Sequence, residues 1–181
     1  MTRACVLLTD GFEETEAVAV IDVLRRAAID TVIVGVTGRE VTGNHGITLR
    51  ADVLLQDAAA PWDCVVLPGG MPGAAALRDS VKVQDFVVEH EKNGAVLGAV
   101  CAAPIALAAW GLLEGKRVTC FPGFEDQLRG AVFVGGAVVV DGRIVTSKAI
   151  GTALAFGIAL VDVLLGAAVA GPLRARLHLD G

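Results

Sequence analysis

The stretch AVLGAVCAAPIALAAW, residues 95–110, decides how this chain folds. Its opening AVLGAV is a short, unbroken apolar run, the pattern of a strand covered on both faces. Pro104 then suits the first turn of a helix, where its missing N–H costs nothing. A strand therefore gives way to a helix within a few residues, with Cys101 at the junction. The same rhythm recurs on either side. ACVLL (4–8) precedes a helical segment from about Glu13 to Ala28, TVIVGV (31–36) opens a second unit, and HGITLRAD (45–52) offers an edge strand. DCVVLPGG (63–70) ends a third strand in a glycine turn before the helical SVKVQDFVVEHEKN (80–93). Continuous apolar strands separated by helices predict an α/β fold, a mainly parallel sheet with helices on both faces. VTC (118–120) and AVFVGGAVVVDGRIVTS (131–147) break the rhythm, and their Gly-Gly and Asp-Gly turns read as a hairpin-like addition.

A chain of 181 residues, 54% hydrophobic and 19% charged, has enough apolar surface for one compact domain spanning 1–181. The formal net charge of -5 and the absence of a basic stripe argue against a nucleic-acid partner. MTRACVLLTDGFEE runs straight from a short apolar segment into acids, unlike a secretory leader. GTALAFGIALVDVLLGAAVAG (151–171) carries Asp162 near its middle and reads as a covered helix followed by another short one, not as a membrane span. Cysteines at 5, 64, 101 and 120 and histidines at 45, 90 and 178 show no metal-ligand spacing, so no metal is expected. Unpaired cysteines suit a reducing cytoplasm. The first turn, TDGFEETEA, lacks the glycines of a dinucleotide site, and neither a Walker loop nor a Gly-x-Ser-x-Gly elbow occurs, so no cofactor is expected.

In a doubly wound sheet, ligands collect beyond the carboxyl ends of the strands. Three such ends carry unusual residues: Asp10 to Glu16, Gly69-Gly70, and Cys101. At Cys101 the turn exposes a side chain among unpaired N–H groups, and a helix N-terminus there would lower the thiol pKa. A buried structural cysteine fits the same position. Gly69 and Gly70 permit close backbone approach, and the N–H groups of Gly70 and Ala102 form a candidate oxyanion cradle, although Pro-Gly-Gly is also an ordinary turn. Glu13 and Glu14 sit where acids are expected in a first helical turn. Glu16 instead heads a row with Val20, Val23 and Ala27, so it points with apolar side chains and must find a partner or hold a proton. His90 and His178 read as surface residues, whereas His45 can reach the sites from a loop.

DGFEETEAV (10–18), VVLPGGMPGA (65–74), AVCAAPIALA (99–108) and TSKAIGTALAF (146–156) together resemble the DJ-1/ThiJ/PfpI superfamily, within it the branch of DJ-1 and its bacterial relatives. The resemblance runs over nearly the whole chain and implies a flavodoxin-like fold and a homodimer, with the Glu16 helix near the subunit contact. Position by position, Cys101 matches the family's oxidisable nucleophile, Glu16 the carboxylate that contacts it, and Gly70 and Ala102 the amides beside the thiol. Gly69, Arg26, His45 and Phe121 fall at candidate rim positions. His45 stands where an arginine is frequent, which makes it a candidate pH-dependent contributor. Phe121 stands where animal members have a histidine and bacterial relatives often share the phenylalanine. Ala102 follows Cys101 where the superfamily's proteases have a histidine, so a peptidase is not expected. Members are described as glutathione-independent glyoxalases acting on methylglyoxal, as protein deglycases acting on glycated groups, and as redox-responsive chaperones or stress sensors. The first two readings need a small 2-oxoaldehyde or a glycated group as substrate and no cofactor.

Overall fold

The computed structural model describes residues 1–58 and 61–179. Its centre is a seven-stranded sheet. In chain order the strands of that sheet and the helices between them are β1 (Arg3–Leu8), α1 (Glu14–Arg26) and β2 (Asp30–Gly35), followed by a small hairpin of β3 (Glu40–Thr42) and β4 (Thr48–Arg50). Then come β5 (Val53–Leu54), β6 (Cys64–Leu67), α2 (Gly73–Asp79), α3 (Val81–Lys92), β7 (Val96–Val100) and α4 (Pro104–Ala109). The last part holds β8 (Arg117–Val118), β9 (Val132–Phe133), β10 (Val138–Asp141), β11 (Ile144–Ser147), α5 (Ala153–Leu165) and α6 (Ala167–Arg176). The sheet order is β10-β11-β7-β6-β1-β2-β5, parallel throughout except for β10 against β11. This is a flavodoxin-like sandwich.

Alternation along β1 sets the two layers. Ala4, Val6 and Leu8 face one core with Val20, Val23 and Leu24 of α1 and Phe156 and Leu160 of α5. Cys5 and Leu7 face the other, with Val83 and Val87 of α3 and Leu107 of α4. The helices on the first face lie close, since a Cβ on Gly157 would come within 2.9 Å of Val23. Both helical boundaries expected from sequence shift inward by a residue or two, because Glu13 and Ser80 serve as N-caps outside α1 and α3.

Two expectations about strands are corrected. The strand expected near 45–52 does not edge the main sheet: Thr48–Arg50 pairs with Glu40–Thr42 in a separate hairpin, and Val53–Leu54 forms the edge. The supposed 131–147 addition splits. Val132–Phe133 pairs with Arg117–Val118, whereas 138–147 is an antiparallel hairpin whose second strand joins β7 inside the main sheet. The 151–171 stretch is two helices divided at Gly166. No helix among the described residues is long and apolar enough to cross a membrane.

Strand order places β1 and β6 at the point where the chain reverses direction across the sheet. The crevice beyond their carboxyl ends is where this topology leaves room for a ligand.

Candidate functional site

The turns that follow β1, β6 and β7 meet in that crevice. After β1, the Glu13 carboxylate caps α1 by accepting the Glu16 N–H at 2.6 Å. Glu16 then lies on the inner face of the helix, 1% exposed. Its Oε2 accepts the Gly69 N–H at 3.0 Å, while Oε1 is buried with no hydrogen-bond partner among the described residues. The side chain that couples to this carboxyl is the Cys101 thiol.

After β6, two glycines make the approach possible. A Cβ on Gly69 would lie 2.5 Å from the Cys101 Cβ and 2.6 Å from Glu16 Oε2. Gly70 has φ +91°, and a Cβ there would strike the Glu13 backbone nitrogen. After β7, Cys101 takes φ +62°, a left-handed conformation costing about 1–2 kcal/mol for a residue with a side chain. Neighbouring strands and loops hold it there: its N–H donates to the Ser147 carbonyl at 2.9 Å and its carbonyl accepts the Phe121 N–H at 2.8 Å. The N–H groups of Gly70 and Ala102 lie beside the sulfur and favour negative charge on it.

The thiol does not behave as its position in the sequence predicts. Helix α4 begins at Pro104, beyond a three-residue turn, so its N-terminus is not at the sulfur. Burial pushes the Cys101 thiol up to about 12, the Glu16 carboxylate adds to the rise, and the Gly70 and Ala102 amides only partly oppose it. The expected lowering of the thiol pKa is thus reversed. Burial also raises Glu16, to about 7; the thiol and the Gly69 N–H pull it down, and the charge of Glu13 adds to the rise. At neutral pH the pair is a protonated thiol beside a carboxyl that is partly ionised.

The cavity over the pair has a volume of about 330 Å³. Cys101, Glu16, Gly70 and Ala102 all line it, as do two of the expected rim residues, His45 and Phe121. Gly69 stands behind the carboxyl as its donor. Arg26 does not reach the rim. It sits in the last turn of α1, ten residues from Glu16 and so about 15 Å along the helix axis, bonded to Asp22.

Glu13 and Glu14, which fall where a first helical turn ordinarily carries acids, are both buried. Glu14 Oε1 accepts the N–H groups of His45 at 2.7 Å and Ile47 at 3.3 Å, and Oε2 lies 3.1 Å from His45 Nδ1. A Cβ on Gly43 would collide with this carboxylate. Burial raises the Glu14 pKa, but these hydrogen bonds outweigh it and leave the group below its ordinary value. Glu14 therefore pins the turn between β3 and β4 that carries Asn44 and His45 to the cavity. No local spacing signals this, because the contact spans 31 residues. Glu13, Glu14 and His45 each bring one ligand atom within 4.8 Å of the others, so they are the group among the described residues that could hold a metal ion.

Comparison with known proteins identifies the family of the chain. The sequence model of the DJ-1/PfpI family matches residues 2–163. Protein DJ-1 homolog B of Arabidopsis thaliana is 38% identical over 129 residues, which are 70% of this chain but 30% of that protein, so the chain spans under a third of its length. A Caenorhabditis elegans protein named glutathione-independent glyoxalase DJR-1.2 is 32% identical over 127 residues, 69% of this chain and 67% of that one. The solved structure of Toxoplasma gondii DJ-1, described as oxidized, superposes with a TM-score of 0.94 at 34% identity, covering 98% of each chain.

Proposed function

Because the chain belongs to the DJ-1/PfpI family, we propose that it is a glutathione-independent glyoxalase, converting methylglyoxal or a related small 2-oxoaldehyde to a 2-hydroxy acid. The observation that carries this reading is the Cys101–Glu16 pair, a nucleophile and a carboxyl with a buried oxygen that has no hydrogen-bond partner among the described residues, facing one small cavity. Cys101 is the nucleophile. Its sulfur adds to the aldehyde carbon, the C=O π bond opens, and the thiol proton passes by way of Glu16 to the new oxygen, giving a hemithioacetal. The Gly70 and Ala102 N–H groups beside the sulfur stabilise the oxyanion as it forms. Glu16 then takes the proton from C1 and returns it to C2 through an enediol, leaving a thioester on Cys101. Water hydrolyses that thioester, releasing the acid and restoring the thiol. One water is consumed and no external oxidant or reductant is needed. A carboxyl at about 7 suits both halves of the proton transfer. Glycated side chains enter the same sequence through their hemiaminal or hemithioacetal adducts, which is the deglycase form of the reaction. The Cys101 sulfur bonds to C1, the bond from C1 to the side-chain nitrogen or sulfur breaks, and the amine or thiol leaves with the Cys101 proton.

A second reading, a redox-responsive sensor or chaperone, draws on the same pair. An oxidised Cys101 would present oxygen atoms to a protonated Glu16, whose Oε1 has no other partner. We also infer a homodimer across the α1 face. There Val18, Ile47 and Leu154 are 47%, 57% and 39% exposed around a groove that Glu14 borders. Sedimentation should return twice the monomer mass.

The test is lactate formation from methylglyoxal without glutathione. Many turnovers per subunit are expected in the wild type, falling at least about a hundredfold in Glu16→Gln. One aldehyde consumed per thiol without lactate, or a rate indifferent to Glu16, would overturn the enzyme reading and leave the redox one.

A further inference from the structure

We propose that the cavity over Cys101 selects its reactant by charge, admitting uncharged electrophiles and excluding anionic ones, with Glu13 and His45 as the specificity-determining residues. As a statement about substrate, an uncharged 2-oxoaldehyde rather than one bearing a carboxylate or phosphate, it rests on the glyoxalase reading. As a statement about access to Cys101 it does not.

The charge inventory of the site carries the argument. Glu13, Glu14 and Glu16 are all buried within four residues of one another, and Glu13 and Glu16 line the cavity directly. No lysine or arginine is among the described lining residues. Among the described residues the ion pairs give Glu13 and Glu14 His45 alone, at 4.0 Å and 3.1 Å from Nδ1, and give Glu16 none. Among the described residues His45 is therefore the rim's one group able to carry positive charge, and the Glu14 carboxylate lies directly behind it. A reactant that enters past Phe121, Phe124 and Ile150 meets apolar walls and then carboxylates. In a cavity of low polarity a second negative charge is repelled with little solvent screening.

Two features favour anions and must be weighed. The Gly70 and Ala102 N–H groups are donors, but both lie beside the Cys101 sulfur, so they meet charge that develops on the reacting atoms and not a remote carboxylate. The N-terminus of α1 is also positive, but the Glu13 cap at 2.6 Å and the Glu14 side chain already answer it.

The test compares two alkylating reagents of nearly equal size, iodoacetamide and iodoacetate. Each forms a carbon–sulfur bond at Cys101 and releases iodide, and they differ in one negative charge. Mass spectrometry follows Cys101 alone, since Cys5, Cys64 and Cys120 are 0% exposed. The ratio of the two rates is divided by the same ratio for 2-mercaptoethanol, which removes the intrinsic difference between the reagents. In the wild type iodoacetamide should be favoured at least about tenfold after this correction. The preference should shrink severalfold in Glu13→Gln, which keeps an oxygen to accept the Glu16 N–H, and in His45→Arg, which keeps the backbone N–H to Glu14 and puts a guanidinium donor in place of Nδ1. A corrected ratio near one in the wild type, or a preference untouched by both substitutions, would overturn the proposal. A parallel assay compares methylglyoxal with 4,5-dioxopentanoate, a 2-oxoaldehyde bearing a carboxylate. Charge-selective alkylation without turnover of either compound would sink the glyoxalase reading and leave the charge filter standing. Equal turnover of both would contradict the filter and leave the glyoxalase reading intact.

Discussion

The two ends of the central sheet differ in a way that cavity size conceals. The larger cavity, about 520 Å³, lies at the amino ends of β6 and β7, between Trp62 and His90, while the one at the carboxyl ends is about 330 Å³. At the amino end polar groups are settled. Trp62 Nε1 donates to the Ala58 carbonyl at 3.0 Å, Asp63 accepts the Arg3 N–H at 2.8 Å, and the His90 ring bonds the Phe86 carbonyl at 2.7 Å while stacking on that residue. His90, expected from sequence on a solvated helix end, is buried there. At the carboxyl end tension is unresolved: a cysteine in a left-handed conformation, a buried carboxyl oxygen without a partner among the described residues, and two acids whose pKa values climb together. Chemistry belongs where the fold leaves groups unsatisfied, not where it leaves the most space.

The sharpest break between the ends should come from cysteine substitution. Cys101→Ser is expected to abolish lactate formation, by at least about a thousandfold, whereas Cys64→Ser, in the strand that begins at the amino end, should leave the rate within about threefold. Comparable losses in both would erase the distinction. Glycines give the next contrast, read by denaturant unfolding. Gly70→Ala adds a Cβ against the Glu13 backbone at positive φ and should cost about 3 kcal/mol or more, whereas Gly94→Ala, at φ +85° near the start of β7 with open space around it, should cost about 1 kcal/mol. Equal costs would mean that close packing at the carboxyl end is not what requires glycine.

The smallest effect concerns Glu16 and pH. Its pKa rises from 4.5 to about 7 on folding, so the folded state holds a proton that the unfolded chain has released. Such a group favours folding at low pH, and its contribution is lost as pH rises through the folded value. Between about pH 5 and 8 the wild type should lose about 2 kcal/mol relative to Glu16→Gln, which cannot ionise. Parallel stability profiles for the two proteins would show that burial does not strain this carboxyl.

Much of this end was legible in the chain. Unbroken apolar runs marked β1, β6 and β7, and the strand-to-helix junction singled out Cys101. Glu16 declared itself by sharing a helical row with Val20 and Val23, both buried in the core. What escaped notice depends on distant parts of the chain. Glu14 reads as a routine first-turn acid until the β3–β4 turn closes over it. The direction of the Cys101 shift was missed because burial and a carboxylate 85 residues away outweigh local dipoles. Helix α2 lies in GAAALRD, too short to show a periodic face, and β8 and β9 have two residues each. Arg26 was placed at the rim by resemblance, but a straight helix carries it to the far end of α1.

The claim that Glu16 moves protons for Cys101 is tested most directly by the pH dependence of kcat/KM for methylglyoxal in wild type and Glu16→Gln. The account predicts a wild-type profile that rises with pH through a midpoint near 7, with that inflection absent from the variant's residual activity. A wild-type profile flat through this range, or the same inflection in both proteins, would contradict it.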